Sequence, residues 1–201
     1  MKASPAQAGT IVVISGPSGS GKTTICNRLT EDPAITFSVS ATTRPPRSGE
    51  RDGVDYHFMT KQAFRDRGAR GEFAEYAEYN GHLYGTPREP LEKALARGRI
   101  VLVEIDVQGA AQLRQVYPHG LYIFLDTPSG DVARIRLEHR NTETPEERQR
   151  RLETAERERN QHMTHFDYRV INDDLEETVD RIRNLIAGRT GGRISTERRI
   201  S

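Results

Sequence analysis

The sequence predicts an α/β fold, a parallel sheet covered by helices, on three observations. Four short apolar, β-rich runs recur along the chain: "TIVVIS" (10–15), "RIVLVEID" (99–106), "LYIFLD" (121–126) and "YRVIND" (168–173). Helix-period segments over 22–31, 87–97, 108–117, 128–140, 144–162 and 174–187 separate them. A glycine-rich stretch, "GPSGSGKT", directly follows the first run. Near-continuous apolar strands that alternate with helices are buried on both faces, as in a parallel sheet.

Two stretches break the alternation. Residues 38–86 are polar and rich in Tyr, Gly and Arg, with short strand-like pieces such as "DYHFMT" and "EFAEYAEY". They read as an inserted subdomain of mixed sheet. Residues 136–151, "RLEHRNTETPEERQRR", carry many charges and almost no apolar side chains. That composition suits a short mobile lid, with a solvated helix pair as the alternative. The chain therefore divides into a disordered N-terminus (1–9), one domain (10–187) and a tail (188–201). The tail carries four arginines against one glutamate and few apolar residues, and is expected to be disordered.

The length of 201 residues is enough for one domain with a real core. Lys+Arg (30) nearly cancel Asp+Glu (29), so net charge gives no reason to expect nucleic acid or a membrane surface as partner. The single cysteine, Cys26, excludes a disulfide framework and fits a reducing compartment. The start lacks the apolar core of a secretory signal, so cytoplasm is the expected location.

The glycine stretch carries the most specific chemistry. Gly16-Pro17-Ser18-Gly19-Ser20-Gly21-Lys22-Thr23 matches G-x-x-x-x-G-K-[ST] at every fixed position, after a strand and before a helix. Glycines let successive N–H groups turn inward onto phosphate oxygens, with a helix N-terminus behind them. Lys22 is expected on the β- and γ-phosphates and the Thr23 hydroxyl on Mg²⁺, with Thr24 beside it. The fold thus becomes a sheet of the P-loop NTPase type that binds a nucleoside triphosphate. A switch GTPase would carry N-K-x-D to read guanine, and the chain contains no such tetrapeptide.

The acceptor is legible in residues 40–56, "SATTRPPRSGERDGVDY". Arg44 and Arg47 flank Pro45 and Pro46, whose restricted backbone can hold two guanidinium groups as a fork for a phosphate. Ordinary surface arginines are the alternative on these two residues alone. A guanine edge offers N–H donors and one acceptor, so its site needs carboxylates and a hydroxyl. Glu75, Asp106, Ser40 and Thr86 supply those types, while Tyr56 and Tyr84 add hydroxyls and ring walls. Glu104, two residues before Asp106, is a candidate to hold Mg²⁺ through water, or a plain strand-end carboxylate.

In this order after a P-loop, "FSVSATTRPPRSGERDGVDYHF", "EFAEYAEYNGHLYGTP", "VEIDVQGA" and "VINDDLEE" resemble guanylate kinase from about Thr10 to Ala187. The resemblance implies a P-loop sheet with an inserted NMP-binding subdomain (38–86) and a short lid (136–151). It implies the reaction of ATP and GMP to ADP and GDP with Mg²⁺, and activity on dGMP is also expected. Implied GMP-phosphate ligands are Arg44, Arg47, Tyr56 and Tyr84, and implied guanine ligands are Ser40, Glu75, Thr86 and Asp106. Arg136, Arg140 and Arg151 are implied to reach the transferring phosphates from the lid, and Asn172 to lie near adenine. Lys22, Arg44, Arg140 and Arg151 are the implied catalytic set.

Four positions, two of them in the lid, depart from the family pattern. The lid reads His139-Arg140-Asn141-Thr142 without the usual glycines, Tyr76 stands where Trp is usual and is expected in the core, and Leu83 replaces a common Tyr. A binding-only module of this fold and a kinase for a phosphorylated sugar are the rival functions. The first would be expected to lose Lys22 or the phosphate arginines, and the second has no use for the Glu75/Asp106/Ser40 set.

Overall fold

The computed structural model describes residues 9–130, Val132, Ile135 and 165–194. With elements numbered along the chain, β1 (Thr10–Ser15), β2 (Ile35–Phe37), β7 (Ile100–Glu104), β8 (Leu121–Asp126) and β9 (Tyr168–Ile171) form one sheet. Its order is β2-β7-β1-β8-β9, and every pairing is parallel. The three-residue β2 is too short to have shown in the sequence.

Side-chain alternation along β1 builds a core on each face. Val12 and Ile14 pack with Ile25 and Leu29 of α1 (Lys22–Leu29) and with Ile182 and Ile186 of α5 (Leu175–Thr190). Ile11 and Val13 point the other way, onto Leu91 of α3 (Arg88–Ala96) and Leu113 of α4 (Val107–Val116). Each such side chain, removed fully from water, contributes about 1.5–3 kcal/mol. The sheet is therefore rigid where β1 delivers its C-terminal loop.

The inserted region folds as a second sheet, β4-β3-β6-β5, from β3 (Ala41–Thr42), β4 (His57–Phe58), β5 (Phe73–Tyr79) and β6 (His82–Pro87). It is mixed as expected: β3 and β4 run parallel, and the other pairs antiparallel. Asn80 (φ 50°) and Gly81 (φ 78°) make the two-residue turn of the β5–β6 hairpin, the sequence pair that tolerates two left-handed residues. Helix α2 (Lys61–Ala69) seals one face through Phe64, stacked on Phe73 with ring centroids 4.4 Å apart. Tyr76 is half exposed at the edge of this pair and not in the core. Strand alternation puts it on the face opposite Glu75, and that face is only partly covered.

Two boundaries differ from the sequence reading because polar side chains end the strands early. Asp106 leaves β7 to cap α4, accepting from the Gly109 amide at 2.8 Å. Asp174 caps α5 in the same way, accepting from the Glu177 amide at 2.9 Å. The expected tail also begins too early: α5 runs to Thr190 and stops at Gly191, which takes the left-handed C-cap conformation (φ 65°). Beyond it Ile194 is buried in the core, and Arg193 donates to the Gly98 carbonyl (2.8 Å) and the Thr10 hydroxyl (2.7 Å). Ordered packing thus reaches at least Ile194. The lid (136–151), with Arg136, Arg140 and Arg151, most of the helices expected at 128–140 and 144–162, and residues 195–201 lie outside the described residues.

Candidate active site

Strand β1 ends in the glycine loop, and the loop's conformation explains its glycines. Gly16 has φ 143°, and a Cβ there would lie 2.0 Å from the Leu125 carbonyl oxygen of the neighbouring strand. Gly21 has φ 90°, and a Cβ there would lie 2.4 Å from Nδ2 of Asn172. Neither position accepts a side chain. Lys22 folds back over the loop, donating from Nζ to the carbonyls of Gly16 (2.7 Å) and Pro17 (3.1 Å). The Thr23 hydroxyl donates to Glu104 Oε1 at 2.8 Å, bringing an alcohol and a carboxylate oxygen together beside the loop. Thr24 is exposed on α1, while Pro17 and Ser20 are buried within the loop.

Asn172 lies behind the loop, 6% exposed, and its side-chain amide donates to the Ser20 carbonyl at 2.7 Å. Its backbone amide donates to the Asp126 carbonyl at the end of β8. Asn172 therefore ties β9 to the glycine loop.

The arginine loop is organised around a residue that the sequence reading passed over. Glu50 accepts from Arg44 Nη2 at 2.8 Å through one oxygen and from the Arg47 backbone amide at 2.7 Å through the other. Arg44 also donates from Nη1 to the Pro45 carbonyl (2.7 Å), and its guanidinium lies 5.5 Å from the Tyr56 ring centroid and 5.9 Å from that of Phe58. Burial pulls the Arg44 basicity down, but the Glu50 hydrogen bond and the charge more than offset it, so the group stays cationic. Burial pushes the Tyr56 hydroxyl well above its ordinary value, which keeps it protonated and a donor.

The base-type residues gather at the seam between the two sheets. Glu75 on β5 is 5% exposed and accepts from the Thr86 hydroxyl of β6 at 2.6 Å. Burial, aided by the neighbouring Asp106 charge and opposed by the Thr86 bond, raises its carboxyl to about 7. Burial likewise raises Asp106, against the pull of the Gly109 amide. A Cβ on Gly109 of α4 would lie 2.6 Å from Glu75 Oε2, so this glycine makes room for the carboxylate, a role with no visible signal in the sequence. Thr86 is fully buried behind Glu75.

A single cleft joins these parts. It is lined by Gly16, Ser18, Gly19, Gly21, Lys22 and Thr23 of the loop, by Ser40, Arg44, Arg47 and Tyr56, by Glu75 and Tyr84, and by Glu104 and Asp106. Tyr79, Gly85 and Ile105 complete the lining. Residues up to 90 positions apart in sequence thus face one space, a triphosphate-type loop on one wall and a cationic fork with two carboxylates on the other.

The guanylate kinase family model matches residues 8–189. The chain belongs to the guanylate kinase family. It is 50% identical over 172 residues to the guanylate kinase of Thermus thermophilus, covering 85% of this chain and 77% of that one. It is 45% identical over 179 residues to the guanylate kinase of Clostridium perfringens, covering 89% and 82%. The crystal structure of guanylate kinase from Anaplasma phagocytophilum superposes with a TM-score of 0.77 at 34% identity, covering 94% of this chain and 90% of that chain. A shikimate kinase from Bacteroides thetaiotaomicron, 18% identical with a TM-score of 0.51 over 88% of this chain and 98% of that one, shares the fold alone. The chain is thus a guanylate kinase-type phosphotransferase on a P-loop sheet, with its second sheet beside the glycine loop. Among the described residues no helix is long and apolar enough to cross a membrane.

Proposed function

We propose that this chain transfers the γ-phosphate of ATP to GMP, and to dGMP as well, in the cytoplasm, where it serves purine nucleotide metabolism and GMP recycling. The observation that carries this reading is the common cleft: the glycine loop with Lys22 and the Arg44/Arg47/Glu75/Asp106 set line it together.

The residues divide the work by their chemistry. Glycine-loop amides and Lys22 hold the ATP phosphates, with Lys22 exchanging its two loop carbonyls for phosphate oxygens. Arg44, Arg47, Tyr56 and Tyr84 hold the GMP phosphate, and Glu75, Asp106 and Ser40, with Thr86 orienting Glu75, read guanine. Asp106 already accepts from the backbone amides of Gly109 and Gln108, so part of its acceptor capacity is committed to the fold and the remainder is proposed to meet the base. Among the described residues that line the cleft, none is assigned to the ribose 2′-hydroxyl, which is why dGMP is included.

Thr23 and Glu104 fit Mg²⁺: two hard oxygens 2.8 Å apart suit an ion that takes few protein ligands and completes its shell with phosphates and water. When bound there, Mg²⁺ supplies charge neutralisation on the ATP phosphates. No general base is assigned, because a phosphate acceptor with a second pKa of about 6 is already ionised at neutral pH. The obstacle is repulsion between anions, about 4 kcal/mol per unit pair at 4 Å and an effective dielectric of 20. Lys22, Arg44 and Arg47 offset it and align the two phosphates, with Arg136, Arg140 and Arg151 of the lid proposed to complete the charge set. Asn172 is assigned to the ATP site through its grip on the loop.

An ADP-release assay with ATP·Mg²⁺ and GMP, dGMP, AMP, CMP, UMP or ribose 5-phosphate as acceptor tests the proposal. Release with GMP and dGMP alone is the expected result. Release with the sugar phosphate would discard the guanine assignment, and no release with any acceptor from folded, ATP-binding protein would discard the phosphotransfer.

A further inference from the structure

Glu50 carries a negative charge into a site whose proposed task is to bind a phosphate, so its presence needs a physical reason. Its two carboxylate oxygens are used separately, one on the Arg44 guanidinium and one on the Arg47 backbone amide, at 2.8 and 2.7 Å. The Glu50 amide in turn donates to the Arg47 carbonyl at 3.1 Å, which closes the 47–50 turn. The Arg44 side chain is only 11% exposed and that of Glu50 19%. A guanidinium taken that far out of water is costly unless an anion accompanies it.

We infer that Glu50 is a positioning residue for the acceptor phosphate, the resident counter-ion that holds the Arg44–Arg47 fork in its binding geometry before any nucleotide arrives. The inference rests on the reading of this cleft as a nucleoside monophosphate site.

Two further observations support it. Arg44 has a second anchor at the Pro45 carbonyl and lies against the Tyr56 and Phe58 rings, so Glu50 fixes the last rotational freedom of a group already walled in. Glu50 is held ionised as well: burial raises its carboxyl, but the Arg44 hydrogen bond and the Arg47 amide hold it below the ordinary carboxylate range. Arg44 donates from Nη1 and Nη2 to protein oxygens and is hydrogen-bonded to Tyr84 as well, so its guanidinium is presented to a ligand in a fixed direction. The arrangement trades some attraction for order, since a fork of charge +2 is reduced to +1 by its own counter-ion. Binding gains because a floppy arginine would have to be ordered by the ligand itself.

The test compares wild type with Glu50→Ala and Glu50→Gln, measuring direct binding of GMP and of guanosine, which has the same base and no phosphate, together with steady-state kinetics. Loss of a hydrogen-bonded charged partner predicts a fall in GMP affinity of about tenfold or more in Glu50→Ala. Guanosine affinity and the KM for ATP should stay within about twofold, and the KM for GMP should change more than kcat. Glu50→Gln keeps an acceptor for Arg44 but loses one for the Arg47 amide, so it should fall between the other two. This isosteric variant also serves if the alanine variant folds poorly by near-UV circular dichroism. GMP affinity unchanged in both variants, or GMP and guanosine weakened alike, would overturn the inference. A wild-type protein that binds GMP no more tightly than guanosine would overturn the monophosphate-site reading itself.

Discussion

The Thr86 hydroxyl donates to the Glu75 carboxylate across 2.6 Å in a site almost sealed from water, and this burial, which the bond only partly offsets, decides how the pocket responds to pH. A carboxyl raised from the usual 4.5 to about 7 is protonated in the folded protein over a range where the unfolded chain has released its proton. Its contribution to stability is therefore complete below about 4.5 and is lost as pH rises through about 7. Glu75→Gln should flatten this slope in urea melts of the nucleotide-free protein. Guanosine binding should run oppositely, tighter near pH 8 than near pH 6, because the N–H donors of guanine need the ionised carboxylate. Glu75→Gln should raise the KM for GMP and leave ATP binding nearly unchanged; an unchanged KM for GMP removes Glu75 from base reading.

Lys22 holds its own loop closed through Gly16 and Pro17. Lys22→Ala should lower kcat by about a hundredfold or more, the order lost when a charge stabilising the transition state is removed, with the fold intact. Single-turnover rates with preloaded ATP separate this from weaker ATP binding, and a rate near wild type would defeat the assignment of Lys22 to the transferring phosphate.

Gly21→Ala places a methyl against the Asn172 amide in a left-handed backbone position. Strain of about 1–3 kcal/mol is expected. The measurable results are a lower melting temperature and a higher KM for ATP, while guanosine binding is preserved. Wild-type values for both would mean that the loop's geometry tolerates what its dihedral forbids.

Asn172→Ala removes the bond to the Ser20 carbonyl. If the residue acts by bracing the loop, KM for ATP and for alternative triphosphate donors should rise by the same factor. A loss confined to ATP would instead mark contact with the adenine ring.

Arg193→Ala breaks bonds to Gly98 and Thr10 that fasten the segment after α5 to β1 and to the turn before β7. A stability loss of about 1–3 kcal/mol is expected from hydrogen bonds to a charged donor, with kcat unchanged. A denaturant midpoint equal to wild type would show that this fastening contributes nothing.

Much of this architecture is written locally. The apolar runs of β1, β7, β8 and β9 and the glycine loop that follows β1 state their roles within a few residues, because burial on both faces and left-handed backbone impose their own composition. The cleft is legible in residue types and family resemblance, and Arg44, Arg47, Glu75 and Asp106 line it together. Other residues were illegible for a common reason. Glu50 looks like one more charge in a polar loop until the fold turns both its oxygens onto the arginine segment. Asn172 is expected near adenine through the resemblance alone, and its bond to the Ser20 carbonyl depends on the return of β9 to the edge of β8. Ile194 sits in an arginine-rich run whose composition suggests solvent, yet the turn after Gly191 carries it back to the core. Each depends on a contact made across the fold, and composition over a short window carries no record of such contacts.

Gly109 shows how unevenly the two halves of the cleft are exposed to mutation. Any glycine codon becomes an alanine codon by one base change, and the methyl so added on α4 would stand 2.6 Å from Glu75 Oε2. The carboxylate, held from the other side by Thr86, would have to leave its place, while the glycine loop from Gly16 to Thr23 would be untouched. One inherited substitution thus displaces the carboxylate on one wall of the cleft and leaves the other wall as it was.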